Sequence, residues 1–150
     1  MLVLTNDTFV FTVPDAVVQE CKTLRDAPSD NPPADAPPVP LPNVSSGTMA
    51  RVVQYHLRAA DLRRAGASQS ALSEWAVSFF QEMTRPDLYA AMEAANYLGA
   101  DGMLDEASAY VCGLIRGLAP NQIRDMFMIA PDWTDEESRR AAQELEWALK

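Results

Sequence analysis

The sequence is poor in the side chains that most often bind zinc, since its 150 residues include one histidine and two cysteines. A structural zinc site needs four such ligands, so these three cannot form one unaided. Cys21 and Cys112 fall at apolar positions of helical patterns, which favours buried free thiols for both. His56 lies on an apolar stripe, which favours a buried, hydrogen-bonded imidazole over a catalytic base. We therefore expect neither a metal nor a cofactor.

Basic residues are also scarce, with 12 Lys and Arg against 21 Asp and Glu and a formal net charge of −9. Nucleic-acid binding needs clustered positive charge, so no nucleic-acid partner is expected. No run approaches the roughly 20 apolar residues of a membrane span, so no membrane partner is expected either. The N-terminus shows no charged leader followed by an apolar segment. We expect a cytoplasmic and nuclear protein.

The motifs of common enzyme classes are missing as well. We find no P-loop, no Gly-x-Gly-x-x-Gly after a strand and no nucleophile elbow. The residue types allow a catalytic pair of His56 with Cys21 or Cys112, but burial in the core is a sufficient role for each of the three. We therefore expect a protein that is not an enzyme.

What is present is a hydrophobic content of 48%, enough for one domain with a core, or one domain with an appendage. Residues 1–13 predict a β-hairpin with Asn6-Asp7 as a two-residue turn. Prolines are concentrated in residues 27–42, which predicts an extended loop. Its last part, Val39 to Leu41, can pair only at the edge of a sheet, because proline cannot donate to the ladder.

Apolar residues at three- and four-residue spacing predict helices in the rest of the chain. One is expected over residues 14–25 and another from Ser45 or Ser46 to about Ala60, followed by a loop over residues 61–70. Trp75, Phe79 and Phe80 form an aromatic stripe that we expect in the core. Capping residues mark the later helix ends, and in chain order they are Thr84 with Pro86, Gly99, Gly117, Pro120 with Gln122, and Thr134 with Glu137.

Trp147 is placed unusually for a large aromatic residue. At about 100° per residue it lies opposite Leu145, on the polar face of the last helix. It either folds back onto Trp133 or Phe127, or fills the pocket of a partner, as interface tryptophans do.

Six short segments resemble the signature of the Skp family, the adaptor subunits of SCF (Skp, cullin, F-box) ubiquitin ligases. In chain order they are Val39-Pro-Leu-Pro-Asn-Val44, Ala94-Ala-Asn-Tyr-Leu98, Gly102-Met-Leu-Asp105, Ile115-Arg-Gly117, Pro120-Asn-Gln-Ile-Arg124 and Asp132-Trp-Thr-Asp-Glu-Glu137. Because the segments span most of the chain in the family's order, the resemblance concerns the whole fold.

The resemblance implies an α+β, mostly helical protein with a BTB/POZ-type fold. Residues 1–118 would form the BTB/POZ-like domain, with the N-terminal β-hairpin and with the proline-rich loop and edge segment at 27–42. Residues 119–150 would form the C-terminal helical extension of Skp proteins. Elongin C shares the core fold but ends near the equivalent of Gly117, so residues 119–150 favour the Skp family.

By similarity, the chain would be a non-catalytic adaptor that bridges an F-box protein to a cullin. Asn96 and Tyr97 would face the cullin, and the region of residues 14–25, which departs from the family, helps form that side. An F-box protein would contact an apolar set on the later helices, which comprises Val111, Ile115, Ile123, Phe127, Ile129 and Trp147.

Two departures concern the F-box side. Ala119-Pro-Asn-Gln122 stands where the family has Thr-Pro-Glu-Glu, and Met128 and Pro131 replace residues that are usually polar. Two alternatives stay open: an F-box-binding subunit of a non-ligase assembly, or a homo-oligomerising BTB scaffold. A homodimer in the absence of an F-box protein is a further expectation.

Overall fold

The computed structural model describes residues 1–27, 37–130 and 134–146, and the side chains of residues 138 and 144–146 lie outside that description. The chain divides into two compact units, Met1–Gly113 and Leu114–Lys150. Most described residues are helical, and one small sheet lies near the N-terminus. This confirms the predicted α+β, mostly helical class. The domain boundary predicted between residues 118 and 119 stays a prediction.

The sheet has three strands in the order β2-β1-β3. Strand β1 (Leu2–Thr5) pairs antiparallel with β2 (Val10–Thr12) and parallel with β3 (Val39–Leu41). Both the hairpin and the edge strand are thus confirmed. Pro40 lies in the edge strand, where a residue without an N–H is tolerated.

The predicted two-residue turn of the hairpin is wrong. Thr5 N–H donates to Phe9 O (3.0 Å) and Thr8 N–H donates to Thr5 O (3.0 Å), so three residues form the loop. Thr8 has the positive φ, 63°. The Asp7 carboxylate instead accepts the Ser46 N–H at the start of a distant helix, 3.0 Å away. The local sequence around the turn does not predict this long-range hydrogen bond.

The helix predicted over residues 14–25 is two short helices, α1 (Asp15–Glu20) and α2 (Lys22–Arg25). The chain breaks at Cys21, which is extended (φ −111°, ψ 103°). The break does not expose the apolar side chains of this stretch, and those that are buried are Val17, Val18, Cys21 and Leu24. The break at Cys21 therefore leaves these side chains in the core.

Helices α3 (Ser46–Arg64) and α4 (Gln69–Gln81) follow. Ser45 and Ser68 cap them by accepting backbone N–H groups. The loop predicted over residues 61–70 is wrong at both ends, because α3 continues to Arg64 and α4 begins at Gln69. Cations in the last turn of a helix are favourable, so this charged stretch is helical until the turn at Gly66.

Helix α5 (Arg85–Leu98) begins at the predicted cap, Thr84, and ends at Gly99 with φ 65°. Helices α6 (Asp101–Ile115), α7 (Pro120–Met126) and α8 (Asp135–Glu146) complete the described structure. The capping box of α8 is confirmed, since Thr134 and Glu137 each accept the other's backbone N–H. Among the described helices, none is both long and apolar enough to cross a membrane.

An aromatic cluster lies between α3 and α4. Tyr55 lies 5.2, 5.5 and 5.7 Å from the ring centroids of Trp75, Phe79 and Phe80. Phe80 is fully buried, while Trp75 and Phe79 are half-buried. Of the predicted aromatic stripe, therefore, Phe80 alone is a fully buried core residue.

Two side-chain predictions need correction. Cys112 is exposed rather than buried, because α6 buries Met103, Ala107 and Val111 at four-residue spacing and residue 112 is turned away from that line. His56 is buried (3% exposed), but neither ring nitrogen has a hydrogen-bond partner within the described residues. The rings of Tyr55 and His56 are nearly perpendicular, with their centroids 5.3 Å apart.

Candidate partner-binding surfaces

The end of α5 carries the first pair of predicted site residues, the exposed Asn96 and the half-buried Tyr97. The N–H groups of Gly99 and Ala100 donate to the carbonyls of Asn96 (3.1 Å) and Ala95 (2.8 Å). These bonds satisfy carbonyls that a helix end otherwise leaves without partners. Asn96 and Tyr97 therefore belong to a helix end of fixed shape.

Helix α2 packs against this same end of α5. Thr23 Oγ1 donates to Tyr97 O (2.8 Å), Lys22 N–H donates to Gly99 O (3.4 Å), and the Lys22 ammonium pairs with Asp101. The family resemblance assigns this region to the cullin-facing side without distinguishing Thr23 or Lys22. No sequence signal could identify them, because the bonds join residues more than 70 positions apart.

The predicted F-box contacts fall in both compact units. Val111, in the first, is 7% exposed and belongs to the buried face of α6. In the second unit, Ile129 is 56% exposed. The half-buried members are Ile115, Ile123 and Phe127. Trp147 lies outside the described residues. F-box binding by this set stays a prediction.

The end of α7 holds Met128 in the left-handed conformation, with φ 54°. Its N–H donates to Asp125 O (3.3 Å), and the Ile129 N–H donates to Arg124 O (2.9 Å). This is the Schellman arrangement, where glycine is usual because a side chain is disfavoured. Met128 is 70% exposed, so it forms with Ile129 a pair of exposed apolar side chains. Met128 was noted only as a departure from the family; its conformation was not predicted, since the usual signal, glycine, is absent.

The possible couple of His56 with Cys21 has the wrong electrostatics for nucleophilic catalysis. Burial first, and the nearby Glu20 second, raise the pKa of the Cys21 thiol to about 11. A reactive thiol needs a lowered pKa, because the thiolate is the nucleophile. Burial also lowers the pKa of His56. Within the described residues no three His, Cys, Asp or Glu side chains are grouped as metal ligands.

Comparison with known proteins identifies the family of the chain. The profile of the family described as "Skp1 family, dimerisation domain" matches residues 101–148. The chain is similar to SKP1-like protein 3 of Arabidopsis thaliana, at 32% identity over 100% of this chain and 96% of that protein. It is similar to SKP1-like protein 1A of the same plant, at 31% identity over 97% of this chain and 94% of the other.

A rice relative extends the same result. SKP1-like protein 20 of Oryza sativa subsp. japonica is 34% identical, with 94% of this chain and 89% of that protein covered. Identity of this level over nearly full length, in both directions, establishes common fold and descent. The chain belongs to the Skp1 family, a family of non-catalytic adaptors of SCF ubiquitin ligases.

Proposed function

We propose that this chain bridges an F-box protein to a cullin within an SCF-type E3 ubiquitin ligase. It would act by position alone: two bound partners are held near each other, so that a substrate on one meets the ubiquitin-loaded enzyme on the other at raised effective concentration. The observation that carries the proposal is the presence of two surfaces suited to proteins, one in each compact unit.

The cullin surface is the end of α5. Tyr97 combines an apolar ring with a polar hydroxyl, a combination that is common at protein interfaces. Asn96 adds an exposed amide that can both donate and accept hydrogen bonds. Because α2 binds the backbone here through Thr23 and Lys22, the surface is held in one conformation before the partner arrives. Such preorganisation favours affinity.

The F-box surface is the apolar set of the second unit. Met128 and Ile129 are mostly exposed, and the exposed apolar surface of adjacent residues favours burial against a partner. Ile123, in α7, is half-buried and therefore still has surface to contribute. The mode that fits is the packing of an amphipathic helix of the F-box onto these side chains.

Quantitative co-precipitation from native lysate tests both surfaces at once. The variants are Asn96→Ala/Tyr97→Ala, Ile129→Glu and Val77→Glu. Val77 is a matched control because it is an exposed apolar residue of α4 (44% exposed) that belongs to neither surface. We expect the double variant to lose cullin but keep F-box proteins, Ile129→Glu to lose F-box proteins, and Val77→Glu to retain both.

Other outcomes decide against the bridge. Recovery of F-box proteins without cullin by the wild-type chain would favour an F-box-binding subunit of a non-ligase assembly. Recovery of neither would mean that the family relationship reports the fold and not the function. An equal effect of Val77→Glu and Ile129→Glu would show that an added charge disturbs the fold rather than a surface.

Self-association is a second candidate function, because the family profile that matches residues 101–148 is described as a dimerisation domain. Light scattering of the purified chain with and without an excess of F-box peptide separates the two. A dimer that dissociates when the peptide is added supports the adaptor, since both would use the same apolar side chains. A dimer that persists supports a scaffold.

A further inference from the structure

The last carbonyl groups of α5 are satisfied only in part by the chain that directly follows them. A helix end leaves its last four carbonyls without partners inside the helix. The two N–H groups that come after the helix serve the carbonyls of Ala95 and Asn96. Neither of these bonds uses the carbonyl of Tyr97, so that group depends on a partner from another part of the fold.

Helix α2 supplies this partner. Thr23 Oγ1 donates to Tyr97 O at 2.8 Å, and the neighbouring Lys22 N–H donates to Gly99 O at 3.4 Å. The second bond is longer than most N–H to carbonyl bonds, so the hydroxyl bond is the better formed of the two. Thr23 thus completes the cap of α5 from a position 74 residues away in the sequence.

The two backbones meet here without space between them. A Cβ on Gly99 would lie 2.8 Å from Lys22 Cβ. Leu24, the residue after Thr23, is fully buried and anchors α2 in the core. The β-branched side chain of threonine also has few rotamers to lose. The hydroxyl of Thr23 is therefore held beside the carbonyl that it serves.

The ion pair of Lys22 with Asp101 joins the same two elements but is a weaker tie. The two side chains are 57% and 62% exposed. Exposed pairs are screened by water and salt, and both long side chains must be ordered to form them. The hydroxyl of Thr23 is therefore the side-chain group that most directly fixes the last turn of α5.

We propose that Thr23 is a positioning residue for cullin binding, which acts through Tyr97 and does not itself contact the cullin. Its hydroxyl fixes the peptide group after Tyr97, and so the direction in which the ring of Tyr97 and the amide of Asn96 are presented. Molecules in which α2 has left the end of α5 do not present this surface, and they lower the apparent affinity in proportion to their fraction. The inference rests on the proposed function, since it concerns the same surface.

Titration of the full chain with a purified cullin N-terminal domain tests the proposal. Thr23→Val keeps the shape and nearly the helix propensity of threonine but removes the hydroxyl, and Thr23→Ser keeps the hydroxyl. We expect Thr23→Val to raise the dissociation constant about threefold, within the roughly fivefold that one net hydrogen bond represents. Thr23→Ser should bind as the wild type does. Thr12→Val is the matched control, because Thr12 is exposed in β2 and belongs to neither surface.

Two further measurements separate positioning from other roles of Thr23. The Lys22 amide donates to Gly99 O, so its hydrogen exchange in the free chain reports how often α2 leaves the end of α5. We expect this exchange to be about fivefold faster in Thr23→Val and unchanged in Thr12→Val. Binding of an F-box domain should be equal in Thr23→Val and the wild type, because none of the proposed F-box contacts belongs to α2 or α5.

Four results would overturn the inference alone. They are a wild-type cullin affinity in Thr23→Val, no recovery in Thr23→Ser, an equal loss of F-box binding, and weaker cullin binding without faster Lys22 exchange. The third would mean a general loss of structure, and the last would mean that Thr23 contacts the cullin directly. Absence of cullin binding by the wild-type chain is a different failure, since it would overturn the proposed function and this inference with it.

Discussion

His56 is the only histidine of the chain, and its neutral ring is buried with neither nitrogen bonded within the described residues. Burial disfavours the charged form, and this outweighs the opposite effect of Glu20, so the pKa lies below its ordinary value of 6.5. Between the lowered pKa and 6.5, the unfolded chain binds more protons than the folded one. Stability is therefore full above pH 6.5 and falls as the pH drops through that window.

We expect His56→Leu to remove this pH dependence. The wild-type free energy of unfolding should fall by up to about 1.4 kcal/mol per pH unit below its plateau. The variant should be flatter, and no less stable at neutral pH, because an unbonded polar group leaves the core. Urea unfolding at about pH 7.5 and about pH 5.5 measures both slopes. Parallel slopes in the two proteins would contradict the assignment to His56.

Gly99 allows a second test at the scale of one residue. A Cβ there would lie 2.8 Å from Lys22 Cβ, and its φ of 65° disfavours any side chain. We expect Gly99→Ala to destabilise the chain by more than about 1 kcal/mol, from the left-handed conformation alone. Gly113→Ala is the control: residue 113 lies in α6 with open space around it, so alanine should stabilise by about 0.5 kcal/mol. Thermal unfolding compares them, and a Gly99→Ala protein as stable as the wild type would refute the close approach.

At the scale of the element, α7 begins with an incomplete cap. Ala119 has no side-chain acceptor, and only the return bond is present, in which Ala119 N–H donates to Gln122 Oε1 at 2.8 Å. A full capping box needs a hydroxyl at the first position as well. The family's threonine supplies that group. Alanine at position 119 therefore leaves the first turn of α7 without one capping hydrogen bond.

We expect Ala119→Thr to stabilise α7 by about 1 kcal/mol, because it completes the box. Gln122→Ala should have the opposite sign, since it removes the bond that exists. Amide hydrogen exchange in α7 reports both changes without requiring global unfolding. If Ala119→Thr leaves exchange in α7 unaltered, the first turn is not what limits the stability of the helix.

Local signals predicted most of the elements, because the groups that set them are close in sequence. The caps at Thr84, Gly99 and Thr134 lie where glycine and hydroxyl residues indicated them. The break at Cys21 was missed because it is set by tertiary packing, since the apolar periodicity continues across it unchanged. The hairpin turn was missed because Asp7 binds the N-terminal end of α3, 39 residues away.

The residues of the two candidate surfaces differ in exposure, and their roles in binding stay predictions. The exposed Asn96 and Ile129 are placed where a partner could reach them, whereas Val111 is in the core. The segments that resemble the family identified the predicted contact positions, but the exposure of a side chain depends on the neighbours that the fold brings to it.

At the scale of the whole molecule, the two units differ in how much apolar surface they bury. Within the described residues of the second unit, Met126 is the one buried hydrophobic side chain, while the first unit contains an extensive core. Little burial means little resistance to local opening. A unit of this kind gains order when a partner covers its apolar residues.

We therefore expect backbone amides of α7 and α8 to exchange faster than those of α3 and α5. Addition of an F-box domain should slow exchange in α7, whereas a cullin N-terminal domain should slow exchange near Asn96. Hydrogen–deuterium exchange with mass spectrometry measures all four helices in one sample. Equal protection of α7 and α3 in the free chain would contradict this picture.

The two thiols, so differently placed, make the chain convenient for chemical labelling. Cys21 is enclosed and its pKa of about 11 leaves almost no thiolate at neutral pH, whereas Cys112 is open to solvent. A maleimide dye should thus attach at one position without prior mutagenesis. Because Cys112 directly follows Val111 in α6, the dye's emission would report on partner docking at that helix. A reducing agent in storage would prevent disulfide-linked dimers, which would mimic self-association.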